Sequence, residues 1–145
     1  MNTKIQILIA DDDSEDTMLI REALIENQIE NKVQRVENGE ELMDYLKNTG
    51  NYSNKEKYPL PGVIMLDLNM PKMDGREALK EIKGDINLCS IPIIVFTTSS
   101  NDKDLNLSYK FGANSYISKP VTFSSMVELM RTFSNYWLQT VDLPS

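Results

Sequence analysis

The chain has 145 residues, of which 41% are hydrophobic and 26% are charged, and its formal net charge is −7. This composition is typical of a globular domain with its own core, whereas the acidic balance argues against a nucleic-acid partner, which normally needs a basic face. The sequence has no histidine and one cysteine, Cys89, which excludes a histidine-based zinc site, a phosphohistidine carrier and an internal disulfide. Its apolar runs are too short to span a bilayer, so we predict no membrane association and a cytoplasmic location.

Short apolar runs alternate with amphipathic stretches along the chain. The apolar runs predict five strands, near residues Ile5–Ala10, Val33–Val36, Val63–Leu66, Ile91–Phe96 and Ser115–Ser118. The amphipathic stretches predict five helices, near residues Ser14–Asn27, Gly39–Lys47, Gly75–Lys83, Asp102–Phe111 and Thr122–Gln139. Because strands and helices alternate, we predict a doubly wound α/β fold, with a parallel sheet covered by helices on both faces.

The segment Asn48–Gly62 breaks this alternation, since it collects glycine, asparagine, serine and proline. A core strand follows it directly, so we predict a long surface loop and not a linker between domains. The sequence shows no internal repeat and no second domain. We therefore predict a single domain over residues 1–145, with a core over about 4–135 and an extended C-terminal helix and tail over 136–145.

Four of the predicted strands end in polar residues that their apolar bodies do not explain. Asp11 and Asp12 follow the first strand, Asp67 the third, Thr97 the fourth and Lys119 the fifth. In an open parallel sheet these ends lie at one edge, so we expect the five side chains to meet in a shallow pocket. Carboxylates suit Mg²⁺, lysine and hydroxyl groups bind phosphate oxygens, and a carboxylate can itself accept a phosphoryl group. The pocket therefore predicts Mg²⁺-dependent phosphoryl chemistry.

These motifs resemble those of the response-regulator receiver domains, over almost the whole chain. They are the pair Asp11-Asp12, the run Asp67-Leu68-Asn69-Met70-Pro71 with Met73-Asp74-Gly75, the pair Thr97-Thr98, and Lys119-Pro120. The resemblance implies a flavodoxin-like sheet of order 2-1-3-4-5 and Mg²⁺ as the cofactor. It also implies a partner sensor histidine kinase and signalling through protein contacts, without enzymatic turnover.

The resemblance assigns catalytic and switch roles to four residues. Asp67 is the phospho-acceptor, and Thr97 and Lys119 complete the catalytic set. Thr97 also supplies the switch hydroxyl, and Tyr116 matches the aromatic switch position. The Lys119–Pro120 bond is a candidate cis peptide, which proline permits at a modest cost in free energy.

The resemblance also assigns the metal ligands. Asp12 binds Mg²⁺ directly, together with Asp67 and the backbone carbonyl of Asn69. Asp11 assists through hydrogen bonds or a bridging water. The other acidic residues of these segments, Asp13 and Asp74, are predicted to be helix caps or turn residues.

Two features of the chain depart from a minimal receiver and resemble those of the single-domain response regulators that partner phytochrome-type sensor kinases. One is the length of the loop Asn48–Gly62, and the other is the extended last helix. From this resemblance we expect a phytochrome-type kinase as the partner.

The last predicted helix carries an apolar stripe that should pack on the sheet, formed by Phe123, Met126, Val127, Met130, Phe133 and Trp137. A helix over Thr122–Gln139 would outrun a strand, so its end, with Tyr136, Trp137 and Leu138, is expected to overhang. Leu129 and Tyr136 point away from the stripe and would be exposed. Because receivers commonly pair through the last two helices and the last strand, we predict a homodimer with Leu129, Tyr136 and Trp137 near the contact.

Two other functions use a similar set of residues. Haloacid-dehalogenase-type phosphatases also combine an aspartate nucleophile, Mg²⁺, a hydroxyl and a lysine. Those enzymes place a second acid two residues after the nucleophile, where this chain has Asn69. The second alternative is a receiver-shaped binding module that is not phosphorylated, although each acceptor, metal and lysine position is present here.

Overall fold

The computed structural model describes residues 5–144, which form a five-stranded parallel sheet with α-helices between the strands. The strands are β1 Ile7–Ala10, β2 Val33–Val36, β3 Val63–Leu66, β4 Ile93–Thr97 and β5 Ser115–Ser118. The helices are α1 Ser14–Glu26, α2 Gly39–Lys47, α3 Gly75–Lys83, α4 Asp102–Lys110 and α5 Phe123–Phe133. The order across the sheet is β2-β1-β3-β4-β5, which confirms the flavodoxin-like fold.

The central strands are buried on both faces of the sheet. Successive side chains of a strand point to opposite faces, and helices cover both of them. Along β1, Leu8 and Ala10 pack in one apolar cluster with α2 and α3, whereas Ile7 and Ile9 pack in a second cluster with α1 and α5. Every residue of β1, β3 and β4 is buried, while β2 is mostly half-buried, as expected for an edge strand. The two cores fix the strand ends from which the site residues follow.

The strand boundaries differ slightly from the sequence prediction. β1 and β4 each begin two residues later than predicted, and β4 ends at Thr97 instead of Phe96. Pro92 has no N–H to contribute to a ladder, which accounts for the later start of β4. Thr97 belongs to the strand because it pairs with Ser118 of β5.

The helix ends follow the predicted capping residues. The side chains of Asp13 and Asp74 accept hydrogen bonds from the first N–H groups of α1 and α3, so both are helix caps, as predicted. Thr122 caps α5 in the same way. Gly112 follows the end of α4 with a φ of 103°, a left-handed conformation that favours glycine.

The last helix is not α-helical to its end. A π-helical segment over Ser134–Thr140 follows α5 directly. A π-helix has a wider turn, so the position that faces the core falls on Leu138, which is 2% exposed, and Trp137 is only half-buried. The prediction that Leu138 overhangs was therefore wrong, while Tyr136 is exposed, as predicted.

The rest of the predicted stripe is largely confirmed. Met126, Met130 and Phe133 are buried against the core that α1 also covers. Phe123 lies in the first turn of α5 and is 40% exposed, so it is a partial exception. Leu129, which was expected to be exposed, is half-buried and packs against that core.

The segment Asn48–Gly62 is a surface loop, as predicted, but it has an ordered centre. The rings of Tyr52 and Tyr58 pack on each other and on Tyr45 of α2, with ring centroids between 4.9 and 5.6 Å apart. The Asn48 amide donates hydrogen bonds to the carbonyl oxygens of both loop tyrosines. Across residues 5–144, every helix is too short or too polar to serve as a membrane span.

Candidate functional site

The predicted site residues meet at the carboxyl edge of the sheet because ladder hydrogen bonds continue past the strands. Asp11 and Asp67 directly follow β1 and β3, and their N–H groups donate to the neighbouring strands at 3.0 and 2.9 Å. The Lys119 N–H donates to the carbonyl oxygen of Thr97 at 2.8 Å. These backbone hydrogen bonds place the three residues at the edge of the sheet.

Lys119 lies at the centre of the pocket and contacts three carboxylates. Its Nζ lies 2.8 Å from Asp11 Oδ2, 3.1 Å from Asp67 Oδ2 and 2.7 Å from Asp16 Oδ2. Burial disfavours the charged ammonium, but the hydrogen bonds to Asp11 and Asp16 and the nearby negative charges outweigh it, so the pKa of Lys119 is raised. The ammonium therefore stays protonated throughout the physiological pH range.

The carboxylate of Asp67 is held from both sides. Thr97 Oγ1 donates to its Oδ1 at 2.9 Å, and the Asn69 N–H approaches the same oxygen at 3.3 Å. The other oxygen, Oδ2, accepts from Lys119. Asp67 is only 7% exposed, so these contacts fix the orientation of a carboxylate that has little freedom to turn.

Three carboxylates of the pocket fit a divalent cation. Oxygen atoms of Asp11, Asp12 and Asp67 all lie within 4.8 Å of one another, and Asp12 is exposed at the mouth. An all-oxygen donor set of this kind suits a hard cation such as Mg²⁺. Burial raises the pKa of Asp11 despite its hydrogen bond from Lys119, so the charged pocket is costly without a further positive charge.

A glycine allows α3 to begin directly beside Asp67. A Cβ placed on Gly75 would lie 2.1 Å from the Asp67 carbonyl oxygen, far inside van der Waals contact. Without a side chain, the Gly75 N–H can donate to the Leu68 carbonyl oxygen at 2.9 Å. The glycine of the Met73-Asp74-Gly75 motif thus fixes the loop that carries Asp67 and Asn69.

The two predicted switch residues are joined through one intervening residue. The Ser99 N–H approaches Thr97 Oγ1 at 3.4 Å, and the hydroxyl of Tyr116 donates to the Ser99 carbonyl oxygen at 3.0 Å. Tyr116 is half-buried and packs against the core on the α2 and α3 side. Its ring is therefore directed inward in this structure.

Arg76 and Asp104 form a paired contact near this switch that sequence reasoning missed. Arg76 Nε and Nη2 each donate to an Asp104 carboxylate oxygen at 2.7 Å, and Ser99 Oγ donates to the same carboxylate at 2.7 Å. The hydrogen bonds from Arg76 and Ser99 lower the pKa of Asp104 to about 2. Neither Arg76 nor Asp104 ends a strand, so no sequence signal could have found the pair.

Asp16 was also missed as a site residue, because acidic residues are common in the first turn of any helix. The available signal was its position one turn after the strand end that carries Asp11 and Asp12.

The expectation of a cis bond between Lys119 and Pro120 was wrong. No cis peptide bond occurs within residues 5–144. The trans isomer of a bond before proline is lower in free energy by about 0.5–1 kcal/mol, and the backbone here adopts it.

The fold and the pocket are those of a known family. Residues 7–131 match the response regulator receiver domain. The chain belongs to this family and is therefore a receiver of two-component signal transduction. Receivers of this family bind a divalent cation and have a histidine kinase as their partner, and the pocket of Asp11, Asp12 and Asp67 fits the phospho-acceptor site.

Particular relatives confirm the resemblance to phytochrome-partner regulators. Response regulator Rcp1 of Synechocystis sp. is 37% identical over 139 residues, covering 96% of this chain and 92% of the relative. The phosphorylated cyanobacterial phytochrome response regulator RcpA is 39% identical in its crystal structure, with a TM-score of 0.90 over 98% of this chain and 99% of that one. The Mn²⁺-bound form of Rcp1 is 36% identical, with a TM-score of 0.88 over 97% and 99% of the two chains.

Proposed function

We propose that this receiver accepts a phosphoryl group on Asp67 from the phosphohistidine of a sensor kinase. The main support is that both carboxylate oxygens of Asp67 accept hydrogen bonds. Lys119 Nζ donates to Oδ2 at 3.1 Å, and Thr97 Oγ1 donates to Oδ1 at 2.9 Å. One carboxylate oxygen forms the new bond to phosphorus as the P–N bond of phosphohistidine breaks, and the imidazole leaves. The product is an aspartyl phosphate.

Lys119 and Thr97 stabilise the charge that this transfer spreads over the phosphoryl oxygens. The Lys119 ammonium turns one N–H from Asp67 to a phosphoryl oxygen, and the Thr97 hydroxyl donates to another. Mg²⁺, when bound, supplies further positive charge to those oxygens. Asp12, Asp67 and the backbone carbonyl of Asn69 would bind the ion directly, and Asp11 would act through a hydrogen bond or a bridging water.

Thr97 and Tyr116 form the switch in this proposal. When the Thr97 hydroxyl moves from Asp67 to the phosphoryl group, it also moves relative to the Ser99 N–H that it contacts. The Tyr116 hydroxyl donates to the carbonyl oxygen of the same Ser99. A shift of Ser99 therefore changes the hydrogen bond that holds the Tyr116 ring inward.

The proposal extends to partners and assembly. The similarity to Rcp1 and RcpA supports a phytochrome-type kinase as the phosphoryl donor. The exposed rings of Tyr109 and Tyr136 support a homodimer through α4, β5 and the last helix, and signalling would then proceed by protein contact.

Asn69 stands where a phosphatase needs an acid, which supports a phospho-acceptor without turnover. We place it in the cytoplasm with its kinase partner, as one domain over residues 1–145.

Mass spectrometry after treatment with Mg²⁺ and a small acyl phosphate donor tests the acceptor. The wild type should gain one phosphoryl group that hydrolyses slowly, and Asp67→Asn should gain none. Asp74→Asn makes the same change in the same loop and should be labelled like the wild type, since asparagine also caps helices.

Other outcomes distinguish the alternatives. An undiminished adduct on Asp67→Asn would place the acceptor elsewhere. Continuous turnover of phosphomonoesters by the wild type would indicate a phosphatase, and no adduct on any variant would indicate an inert module.

A further inference from the structure

Every N–H donor of the Lys119 ammonium group already has a partner. It carries three N–H donors, and three carboxylates lie within hydrogen-bond distance: Asp16 at 2.7 Å, Asp11 at 2.8 Å and Asp67 at 3.1 Å. The side chain of Lys119 is only 6% exposed, so water has little access to it. A phosphoryl oxygen can therefore reach this lysine only by replacing one of the three carboxylates.

The three carboxylates differ in what phosphorylation does to them. Asp67 receives the phosphoryl group, so its carboxylate becomes a neutral acyl group and its hydrogen bond to Lys119, already the longest, weakens. Asp11 belongs to the group of oxygens that fits a cation, and a bound cation would compete with Lys119 for the same carboxylate. Asp16 undergoes neither change, because it is not the acceptor and lies outside that group of oxygens.

Asp16 is also fixed independently of the pocket. It lies in the first turn of α1, and its N–H is directed at the capping carboxylate of Asp13 at 3.3 Å. Its side chain is 29% exposed, so its negative charge is partly solvated and does not need the cation for stability. It is thus a constant anchor beside a lysine whose other two partners change.

We propose that Asp16 is a positioning residue for phosphoryl transfer: it holds Lys119 by one N–H while the N–H on Asp67 turns to the phosphoryl oxygen. This inference rests on the proposed role of Asp67 as acceptor. Lysine has a flexible four-carbon stem, so loss of the anchor lets the ammonium leave the direction in which it meets the phosphoryl group. We expect the phosphorylation rate at saturating donor to fall about three- to tenfold in Asp16→Ala.

The experiment compares Asp16→Ala and Asp16→Glu with Glu15→Gln as a matched control. Glu15 is an exposed carboxylate in the same turn of α1, so its replacement removes the same charge without removing a partner of Lys119. The rate constant and the half-saturating concentration of an acyl phosphate donor are measured with Mg²⁺. The ¹⁵N NMR signal of the Lys119 ammonium is measured separately, without donor or metal.

The expected result has three parts. Asp16→Ala lowers the saturating rate, and its ammonium protons exchange with water faster than in the wild type. Its half-saturating donor concentration changes no more than that of Glu15→Gln. Asp16→Glu, which restores a carboxylate on a longer stem, recovers part of both effects. Asp16→Asn replaces the alanine variant if circular dichroism shows that alanine prevents folding.

Two results would overturn the inference. One is a rate and an ammonium signal in the Asp16 variants equal to those of Glu15→Gln. The other is a faster reaction, which would make Asp16 a competitor of the phosphoryl group. If Asp67→Asn is still labelled while the ammonium signal depends on Asp16, then the proposed function fails, and the anchor remains without a role in transfer.

Discussion

Single side chains in this receiver control the charge of their surroundings at two places. In the pocket, Lys119 balances three carboxylates, and burial keeps the pKa of Asp11 raised even so. Between α3 and α4, Asp104 is nearly buried and keeps its charge because Arg76 and Ser99 donate to it. The pocket around Lys119 fits a further ligand, whereas the Asp104 carboxylate is balanced by Arg76 and Ser99 of the same chain.

The Arg76–Asp104 pair predicts a specific loss of stability in acid. The folded-state pKa of Asp104 is about 2, below its ordinary value of 3.8, so the charged form stabilises the folded protein above pH ~4. That contribution is lost as the pH falls from about 4 to about 2. Asp104→Asn should lower the free energy of unfolding at pH 7 by about 1–3 kcal/mol and reduce the further loss in this acid range.

Urea unfolding at pH 7 and at pH 3 provides the measurement for this pair. Asp102→Asn is the control, because Asp102 is an exposed carboxylate in the same first turn of α4. Equal effects of the two variants at both pH values would show that the pair contributes nothing particular to stability.

The regular elements could be predicted because each depends on a local pattern. The apolar runs gave the five strands within about two residues, and the helix caps Asp13, Asp74 and Thr122 fixed the helix starts. The pocket could be predicted as well, since parallel strands end at one edge. The order of the strands followed only from the resemblance to a family.

Features that depend on distant residues or on irregular backbone could not be predicted. Arg76 and Asp104 are 28 residues apart in sequence and meet only in the folded chain. Leu138 faces the core only because the last turns are π-helical, and a pattern read with a fixed period of 3.6 places Trp137 there instead.

The exposed side chain of Tyr136 in the last helix leads us to predict a contact between two copies of the chain. Tyr136 is 53% exposed and its ring packs edge-on against Trp137, which is half-buried and also packs on the core. We therefore expect Tyr136→Glu alone to dissociate a dimer while leaving the fold intact. Ile86→Glu makes a similar change at a residue that is 90% exposed between α3 and β4, and should leave the dimer unchanged.

Sedimentation velocity of the wild type, Tyr136→Glu and Ile86→Glu, each with and without phosphorylation, decides this prediction. A wild type that remains monomeric at high concentration in both states would show that the last helix is not a dimer contact.

At the scale of the whole molecule, the negative charge makes the folded state sensitive to cations. The chain has a net charge of −7, and three of its carboxylates converge in the pocket. A divalent ion that binds only the folded protein must raise its stability by mass action. Metal removal should therefore weaken the fold as well as prevent phosphorylation.

We expect Mg²⁺ at tenfold above its dissociation constant to stabilise the protein by about 1.4 kcal/mol relative to excess chelator. This corresponds to a rise of roughly 3–6 °C in Tm for a chain of this size. Asp12→Ala should lose both the rise in Tm and the labelling by an acyl phosphate. A wild-type melting curve that does not move between chelator and millimolar Mg²⁺ would show that the carboxylates do not form a cation site.

The π-helical turns after α5 act as a single-residue insertion that the fold has absorbed. Phe133 and Leu138 are five positions apart, yet both face the same core. Deleting the exposed Asn135 would restore the four-residue spacing of an α-helix and keep both side chains inward. The core therefore does not fix the number of residues here, because the segment can lose one exposed residue while Phe133 and Leu138 stay inward. A related chain could gain or lose a residue at this place, and so change which exposed side chains flank Tyr136, without any change at the site of phosphorylation.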